Sequence, residues 1–301
     1  MIRLLTVLIA FLLVSGAMAQ SSLDLLTLSY RRGLATDIDG GGGEGIEDVA
    51  FTNMKVPIIL NKDNIWYNDL TYQGSFVRFS TGIPSIRLHQ FLLQTGWVHR
   101  ISSEKAFQLL LVPRLMTDLQ NIDSKHVQIG AIGLYEQVFN ERLMMRFGLM
   151  ANRDLFGPMF VPLVQVDWQL TDKLSFRGLV PIYTKLNYQV NEQLAFGLSH
   201  FGLITSFQTG DPAYAGDYFE RKSIDLSLYS RYRLKGNIYA EVRGGYALGR
   251  AYRQFDADDQ VDFRVAIITV GDDRTQKNTS FDPGVILDFR LVYNIPLPES
   301  E

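Results

Sequence analysis

Residues 224–234 read IDLSLYSRYRL. In an extended chain successive side chains point to opposite faces, so Ile224, Leu226, Leu228, Ser230, Tyr232 and Leu234 share one face while Asp225, Ser227, Tyr229, Arg231 and Arg233 share the other. A helical spacing of i, i+3, i+4 would mix the two sets. After Lys235-Gly236-Asn237 the pattern returns in residues 238–248, with Ile238, Ala240, Val242, Gly244, Tyr246 and Leu248 opposed to Tyr239, Glu241, Arg243, Gly245 and Ala247. Two such runs around a short polar junction predict a hairpin. Arginines and acids in mid-strand, opposite an apolar face, suit a wall between lipid and a polar interior.

The alternation extends outward from this hairpin. In residues 285–295, Val285, Leu287, Phe289, Leu291, Tyr293 and Ile295 stand against Asp288, Arg290 and Asn294. Weaker versions occupy residues 143–151, where Arg146 interrupts an apolar set, residues 164–170, where Asp167 does, and residues 186–190. Six tight polar junctions punctuate the chain at residues 61–64, 102–105, 140–142, 171–173, 191–193 and 235–237, each with a turn composition. Segments of about 30 to 45 residues between them hold two strands and a variable connection. Six short turns on one rim, with both termini on that rim, require seven connections on the other. The predicted fold is therefore an all-β, closed antiparallel transmembrane barrel of about fourteen strands, with twelve as the alternative count. Its longer connections are expected near residues 33–47, 80–85, 117–124, 154–159, 181–184, 209–220 and 254–280, the last holding a small hairpin at residues 261–270. Trp66, Tyr67, Trp97, Trp168, Tyr183, Tyr214, Tyr218 and Tyr293 lie near segment ends, where interfacial girdles are expected.

Composition narrows the function. The 301 residues are 47% hydrophobic and 20% charged, with 29 Lys plus Arg, 32 Asp plus Glu and no cysteine. A chain without a basic surplus is not built for nucleic acid, and one without thiols has no disulfide, zinc-thiolate site or cysteine nucleophile. Residues 1–19, MIRLLTVLIAFLLVSGAMA, carry Arg3, an apolar run and Ala17 and Ala19 at small-residue cleavage positions, which predicts a cleaved secretory signal followed by a single barrel domain over residues 20–301. After residue 20 no apolar run is long enough for a membrane helix, so any span is a strand. The expected location is the bacterial outer membrane. A soluble exported β-sandwich would also alternate, but it would not place Arg, Asp and Glu deep inside nearly every strand.

The chain also resembles an outer-membrane barrel family of Bacteroidota, domain of unknown function 6268, over essentially its whole mature length. The likeness rests on the signal ending Ala17-Met18-Ala19-Gln20, on Gly178-Leu179-Val180-Pro181-Ile182-Tyr183 and Leu186-Asn187-Tyr188-Gln189-Val190-Asn191, and on the closing Gly284-Val285-Ile286-Leu287-Asp288-Phe289-Arg290-Leu291. This resemblance implies a barrel and supplies no activity. Where such barrels often finish on an aromatic residue, residues 296–301 run on past the last strand, which makes Tyr293 or Phe289 the expected contact for the barrel assembly machinery.

The charged residues expected to line the lumen are Arg146, Asp167, Arg177, Asp225, Arg231, Arg233, Glu241, Arg243, Asp288 and Arg290. They could line a conducting path, or neighbouring strands could pair them into ladders that fill it. No catalytic residue, metal site or cofactor is assigned. Ser199 and His200 point to opposite faces of a strand, Ser124 and His126 are the remaining fragment of a triad, and His89 and His99 read as strand or rim residues. The loops carrying Asp37, Asp39 and Glu44, and Asp256, Asp258, Asp259 and Asp262, offer oxygen ligands without the spacing of a calcium loop. Expected partners are outer-membrane lipid, lipopolysaccharide and the assembly machinery. The leading functional expectation is a narrow pore or small-molecule transport or binding barrel with a polar lumen and an unknown small-molecule substrate. A non-conducting structural or surface-interaction barrel and a membrane-embedded lipid enzyme are the alternatives.

Overall fold

The computed structural model describes residues 22–296 except Gly40, Gly41, Thr81, Ala215 and Phe281. The expected signal segment and the last five residues lie outside the described residues. Among these residues the strands are β1 (Ser22–Asp37), β2 (Glu44–Lys55), β3 (Ile58–Asn61), β4 (Asn64–Phe79), β5 (Ile86–Arg100), β6 (Lys105–Thr117), β7 (Val127–Asn140), β8 (Leu143–Asp154) and β9 (Gly157–Gln169). They continue with β10 (Leu174–Val180), β11 (Tyr183–Gln189), β12 (Leu194–Gln208), β13 (Tyr218–Lys235), β14 (Ile238–Ala247), β15 (Ala251–Phe255), β16 (Phe263–Val265), β17 (Ile268–Val270) and β18 (Gly284–Pro296).

Fourteen of them build the wall: β1, β2, β4 to β14 and β18. Each pairs antiparallel with the next, and β1 closes the ring on β18 from Ser22↔Pro296 to Gly33↔Ile286. β3 and β15 prolong β2 and β14 past short irregularities, and β16 and β17 form a hairpin in the loop before β18. Closure removes the edges that a sandwich would leave and satisfies the backbone within the sheet, as a bilayer demands. Lys235-Gly236-Asn237 closes the β13–β14 hairpin, where Gly236 takes the left-handed φ of +53° that a side chain resists.

Apolar residues face outward along the wall, including Leu111, Ile129, Leu149, Leu198, Leu228, Val242 and Phe289. The opposite face carries Asp225, Glu241, Arg243 and Asp288, all buried. An apolar band this continuous would be an aggregation surface in water and is the expected lipid contact of a barrel. Trp66, Trp97, Trp168, Tyr188, Tyr232 and Tyr293 are exposed near the short-turn rim.

Three features differ from the sequence expectation. The connections at residues 155–156 and 181–182 are two-residue turns instead of long loops, because the strands run right up to them. Tyr67 and Tyr218 pack inside on the core cluster, Tyr183 shares the inner face with its cross-strand partner Leu179, and Tyr214 packs against Phe219 in a loop, so none of these four joins the girdle. The lumen is not uniformly polar. Leu110 and Val112 of β6, Ile132 and Leu134 of β7, Met150 of β8, and Met159, Val161 and Leu163 of β9 form an apolar inner wall. Phe156, Tyr218, Phe255 and Val261 cover it.

The upper parts of β12 and β13 lean into the mouth. Thr205, Ser206, Phe207, Tyr218, Phe219 and Glu220 are buried, so both faces of this hairpin are covered. Phe207 packs with Val77, Leu88 and Met116, and the Gln128 Nε2 donates to the Ser206 carbonyl at 2.9 Å.

Candidate functional site

Opposite the apolar wall, the charged inner faces of β1, β2, β11, β13, β14 and β18 converge on two buried glutamates. Glu47 of β2 accepts from Arg31 at 3.2 Å, from Arg221 at 3.4 Å and from the Tyr252 hydroxyl, with Arg250 at 4.0 Å. Arg31 also reaches Asp225, which accepts from Ser223 at 3.1 Å. Glu241 of β14 meets Lys185 at 3.0 Å, Arg231 at 3.9 Å, Arg290 at 4.0 Å and, closest, Arg243. Arg231 continues to Asp24 at 2.7 Å and Arg290 to Asp288 at 2.7 Å, and Ser29 donates to Asp288 at 2.7 Å.

These contacts are not all between neighbouring strands. Arg31–Asp225 and Arg231–Asp24 each span β14 and β18, and Lys185–Glu241 spans β12 and β13. They are chords across the curved wall, and they fill the lumen at its charged side. Three bases face two acids around Glu47, and four bases face three acids around Glu241, so each cluster keeps a cationic surplus of one. A buried charge is tolerated only when paired and hydrogen-bonded, and both glutamates are.

Tyr229 connects the second cluster to the wall. Its hydroxyl donates to Asn187 at 2.8 Å, and the ring lies 4.9 Å from the Lys185 ammonium. The ring covers Gly197 on the paired strand, where a Cβ would sit 2.7 Å from it and 2.1 Å from the Leu186 carbonyl oxygen.

The expected lumen residues distribute as follows. Asp225, Arg231, Glu241, Arg243, Asp288 and Arg290 belong to the two clusters. Arg146 pairs with Glu136 at 2.5 Å and Arg177 with Asp167 at 3.5 Å, in separate ladders lower on the opposite wall. Arg233 lies near the short-turn rim, donating to the Tyr239 hydroxyl at 2.9 Å. Glu47, Arg31, Arg221, Lys185 and Asp24 escaped the sequence reading. Arg31 alternates with Tyr30 and Arg32, and Glu47 is followed by Asp48, so adjacent like charges on opposite faces blurred the phase. Asp48 turns outward to Tyr30, Arg32 and Arg78. Lys185 alternates with Leu186 in a strand of only seven residues.

The outer mouth is held by the loop between β15 and β18. Arg274 reaches Glu220 and the Tyr218 hydroxyl, both at 3.0 Å, and pairs with Asp272 at 2.9 Å. Its hydrogen bonds hold the Asp272 carboxyl below the ordinary aspartate value. Lys277 bridges Asp217 at 2.7 Å and Asp256 at 2.8 Å, and those hydrogen bonds raise its ammonium above the ordinary lysine value. Burial, with Asp211 nearby, pushes the Tyr214 hydroxyl up to about 12.

No catalytic constellation forms among the described residues that were singled out. Ser199 lies inside, 3.3 Å from Arg243, while its neighbour His200 takes the outward side of the strand. His126 is buried and bound through Nδ1 to Asp123 at 2.9 Å in a 3-10 turn, whereas Ser124 is exposed. His89 and His99 face outward, beside Tyr72 and Asn64. Among the described residues no group of three His, Asp or Glu side chains is placed to hold a metal ion.

A family model described as Domain of unknown function (DUF6268) matches residues 78–260. No curated protein matches the chain. Among solved structures, it is similar to an outer membrane channel from Pseudomonas putida F1, with 9% identity, a TM-score of 0.43, and 91% of this chain and 95% of that one covered. It is also similar to the translocator domain of the autotransporter NalP from Neisseria meningitidis, with 9% identity, a TM-score of 0.36 and coverage of 97% and 93%. A third likeness is to a Pseudomonas aeruginosa FadL homologue, with 11% identity, a TM-score of 0.35 and coverage of 94% and 93%. At such similarity none of them lends its substrate to this chain.

Proposed function

Because the chain belongs to the DUF6268 family, whose name assigns no activity, we propose from its own geometry that it is a small-molecule transport barrel of the bacterial outer membrane, closed at rest. The observation that carries this reading is the pair of glutamate-centred clusters. A purely structural barrel can fill its lumen with apolar side chains, which is often neutral or stabilising relative to buried ion pairs. Charged groups whose partners come from strands well apart in the sheet instead make a closure that separates when the partners separate. The apolar exterior and the girdle of aromatic residues support insertion in a membrane, and the short-turn rim corresponds to the periplasmic side of such barrels.

The lumen clusters close the barrel to ions, and each has a base to spare. Purified protein in a planar bilayer is expected to show little steady conductance. Glu47→Gln with Glu241→Gln leaves seven bases facing three acids, so this double variant is expected to open often and to prefer anions. Silence in both proteins would favour a structural barrel, and a large steady conductance in the wild type would refute closure.

A further inference from the structure

The wall has a gap on one side. β9 pairs with β10 only as far as Val164↔Val180, and β12 pairs with β11 only as far as Phe201↔Tyr183. Above the turn at residues 181–182, whose Ile182 carbonyl accepts from the Gly202 N–H at 2.7 Å, seven residues of β9 (157–163) and six of β12 (203–208) have no partner from that hairpin, a run of about 20 Å along the strand at 3.3 Å per residue. The β12 tip does not close the gap, since it leans inward onto β4 to β8.

The loop before β18 fills it. Val261 donates its N–H to the Phe156 carbonyl at 2.9 Å and Ala266 to the Phe160 carbonyl at 2.8 Å. β16 runs parallel to β9, with Arg264 opposite Met159 and Val265 opposite Phe160. A free strand edge is costly in a bilayer, so a borrowed strand stands where the short β10 ends. The panel is small. β16 and β17 have three residues each, and the turn between them places Ala266 at a φ of +50°, which an alanine resists. Its outer side shows Ile267, 72% exposed, and Ile268, 65% exposed. Behind it lies the apolar inner wall of Met150, Met159, Val161 and Leu163, against which Ala266 and Ile204 also pack.

We propose that the hairpin of β16 and β17 is a movable panel in a lateral doorway, through which an uncharged apolar small molecule passes between the bilayer and the apolar inner wall. This deepens the transport reading and rests on it. The ligand class follows from the surfaces on the path. Ile267 and Ile268 face the bilayer side, methionines line the inside and adapt to irregular apolar shapes, and the guanidinium that the panel itself buries, Arg264, is already neutralised by Glu220 at 3.1 Å. The two glutamate-centred clusters lie on the opposite side of the lumen, whereas the pairing of Arg264 with Glu220, which Arg274 also reaches at 3.0 Å, latches the panel and separates when it moves.

The chain has no cysteine, so a disulfide between Phe160→Cys and Val265→Cys would be the sole one and would pin the panel to β9. The experiment uses the full barrel in phosphatidylcholine vesicles containing a diazirine-bearing long-chain hydrocarbon, photolysed and mapped by mass spectrometry. Labelling of Met150, Met159 and Leu163 is expected in the reduced protein, lost on oxidation, and regained with dithiothreitol. Outward Phe147 and Leu149 are expected to label equally in both states and report that the barrel is folded. A second variant, with residues 263–270 replaced by a Gly-Ser linker, is expected to label the inner wall more strongly than the wild type. Inner-wall labelling that persists after oxidation, or that is missing from both the reduced pair and the linker variant, overturns the doorway. Neither result bears on bilayer conductance, so the transport reading would stand or fall separately.

Discussion

Leu228 and Glu241 show how differently the two faces of one hairpin respond to charge. Leu228 is 67% exposed on the lipid side, and Val242 lies on the same face of the paired strand. Leu228→Arg or Val242→Arg puts a cation into hydrocarbon, a cost of roughly 2–4 kcal/mol near the bilayer midplane. Glu241→Leu removes the acid that four bases share, and breaking a buried pair in this way costs about 3–5 kcal/mol. Arg243→Leu removes one base from a cluster that holds a surplus of one, so it is expected to be the mildest of the four. Urea unfolding in liposomes, read by heat-modifiable migration, checks the ranking; equal stability for all four would show that the faces are misassigned. Gly197 adds a steric test, because a Cβ there meets Tyr229 and the Leu186 carbonyl. Gly197→Val is expected to cost about 1–3 kcal/mol by overpacking and to displace Tyr229 from Lys185, which single-channel recording would detect as more frequent opening.

The loop between β15 and β18 is anchored by ion pairs that titrate at opposite ends of the pH range. Asp272 has a lowered folded value, so its contribution to docking is present above the ordinary aspartate value of about 3.9 and fades as pH falls through the lowered one. Lys277 has a raised value, so its contribution is present below the ordinary lysine value of about 10.4 and fades as pH rises through the raised one. Docking is therefore expected to be tightest across the neutral range and to loosen at both extremes. A spin label on Thr275→Cys, an exposed position, would sharpen or broaden accordingly; pH-independent mobility in that label would refute the ion-pair anchoring. Phe156, buried in the turn under the same loop, supplies the apolar half of the anchor. Phe156→Ala is expected to lose about 3–5 kcal/mol and to raise the label's mobility at all pH values.

Closure is a property of the whole molecule. The β1–β18 ladder joins the two ends of the described chain, so the barrel gains its last row of hydrogen bonds only when every strand is in place. Fractionation is expected to recover the mature protein with outer membranes in a heat-modifiable form, and recovery in a detergent-free periplasmic extract would exclude the membrane assignment. Closure also accounts for the tolerance of long-range ion pairs: Arg231 and Asp24 are 207 positions apart in sequence, yet the ring brings their strands within reach.

Period-two alternation, six polar junctions and the even count were legible in the chain because each is a local property. A side chain's face follows from its parity within a strand, and a tight turn follows from its own two or three residues. The alternation of residues 224–234 and 238–248 sufficed to place Asp225, Arg231, Glu241 and Arg243 inward. Partner choice was not legible, since Lys185 meets Glu241 and Arg31 meets Asp225 only after the sheet curls and skips intervening strands. The apolar inner wall was hidden too: residues such as Met159, Val161 and Leu163 alternate with Phe160 and Pro162, apolar on both faces, and parity carries no signal when both sides are apolar. Sequence by itself determined a strand wall and its turns, because those depend on neighbours in the chain. Tertiary structure alone decided which charges pair and what fills the lumen, because those depend on ring closure, inward-leaning strand tips and a distant loop laid along the free edge of β9.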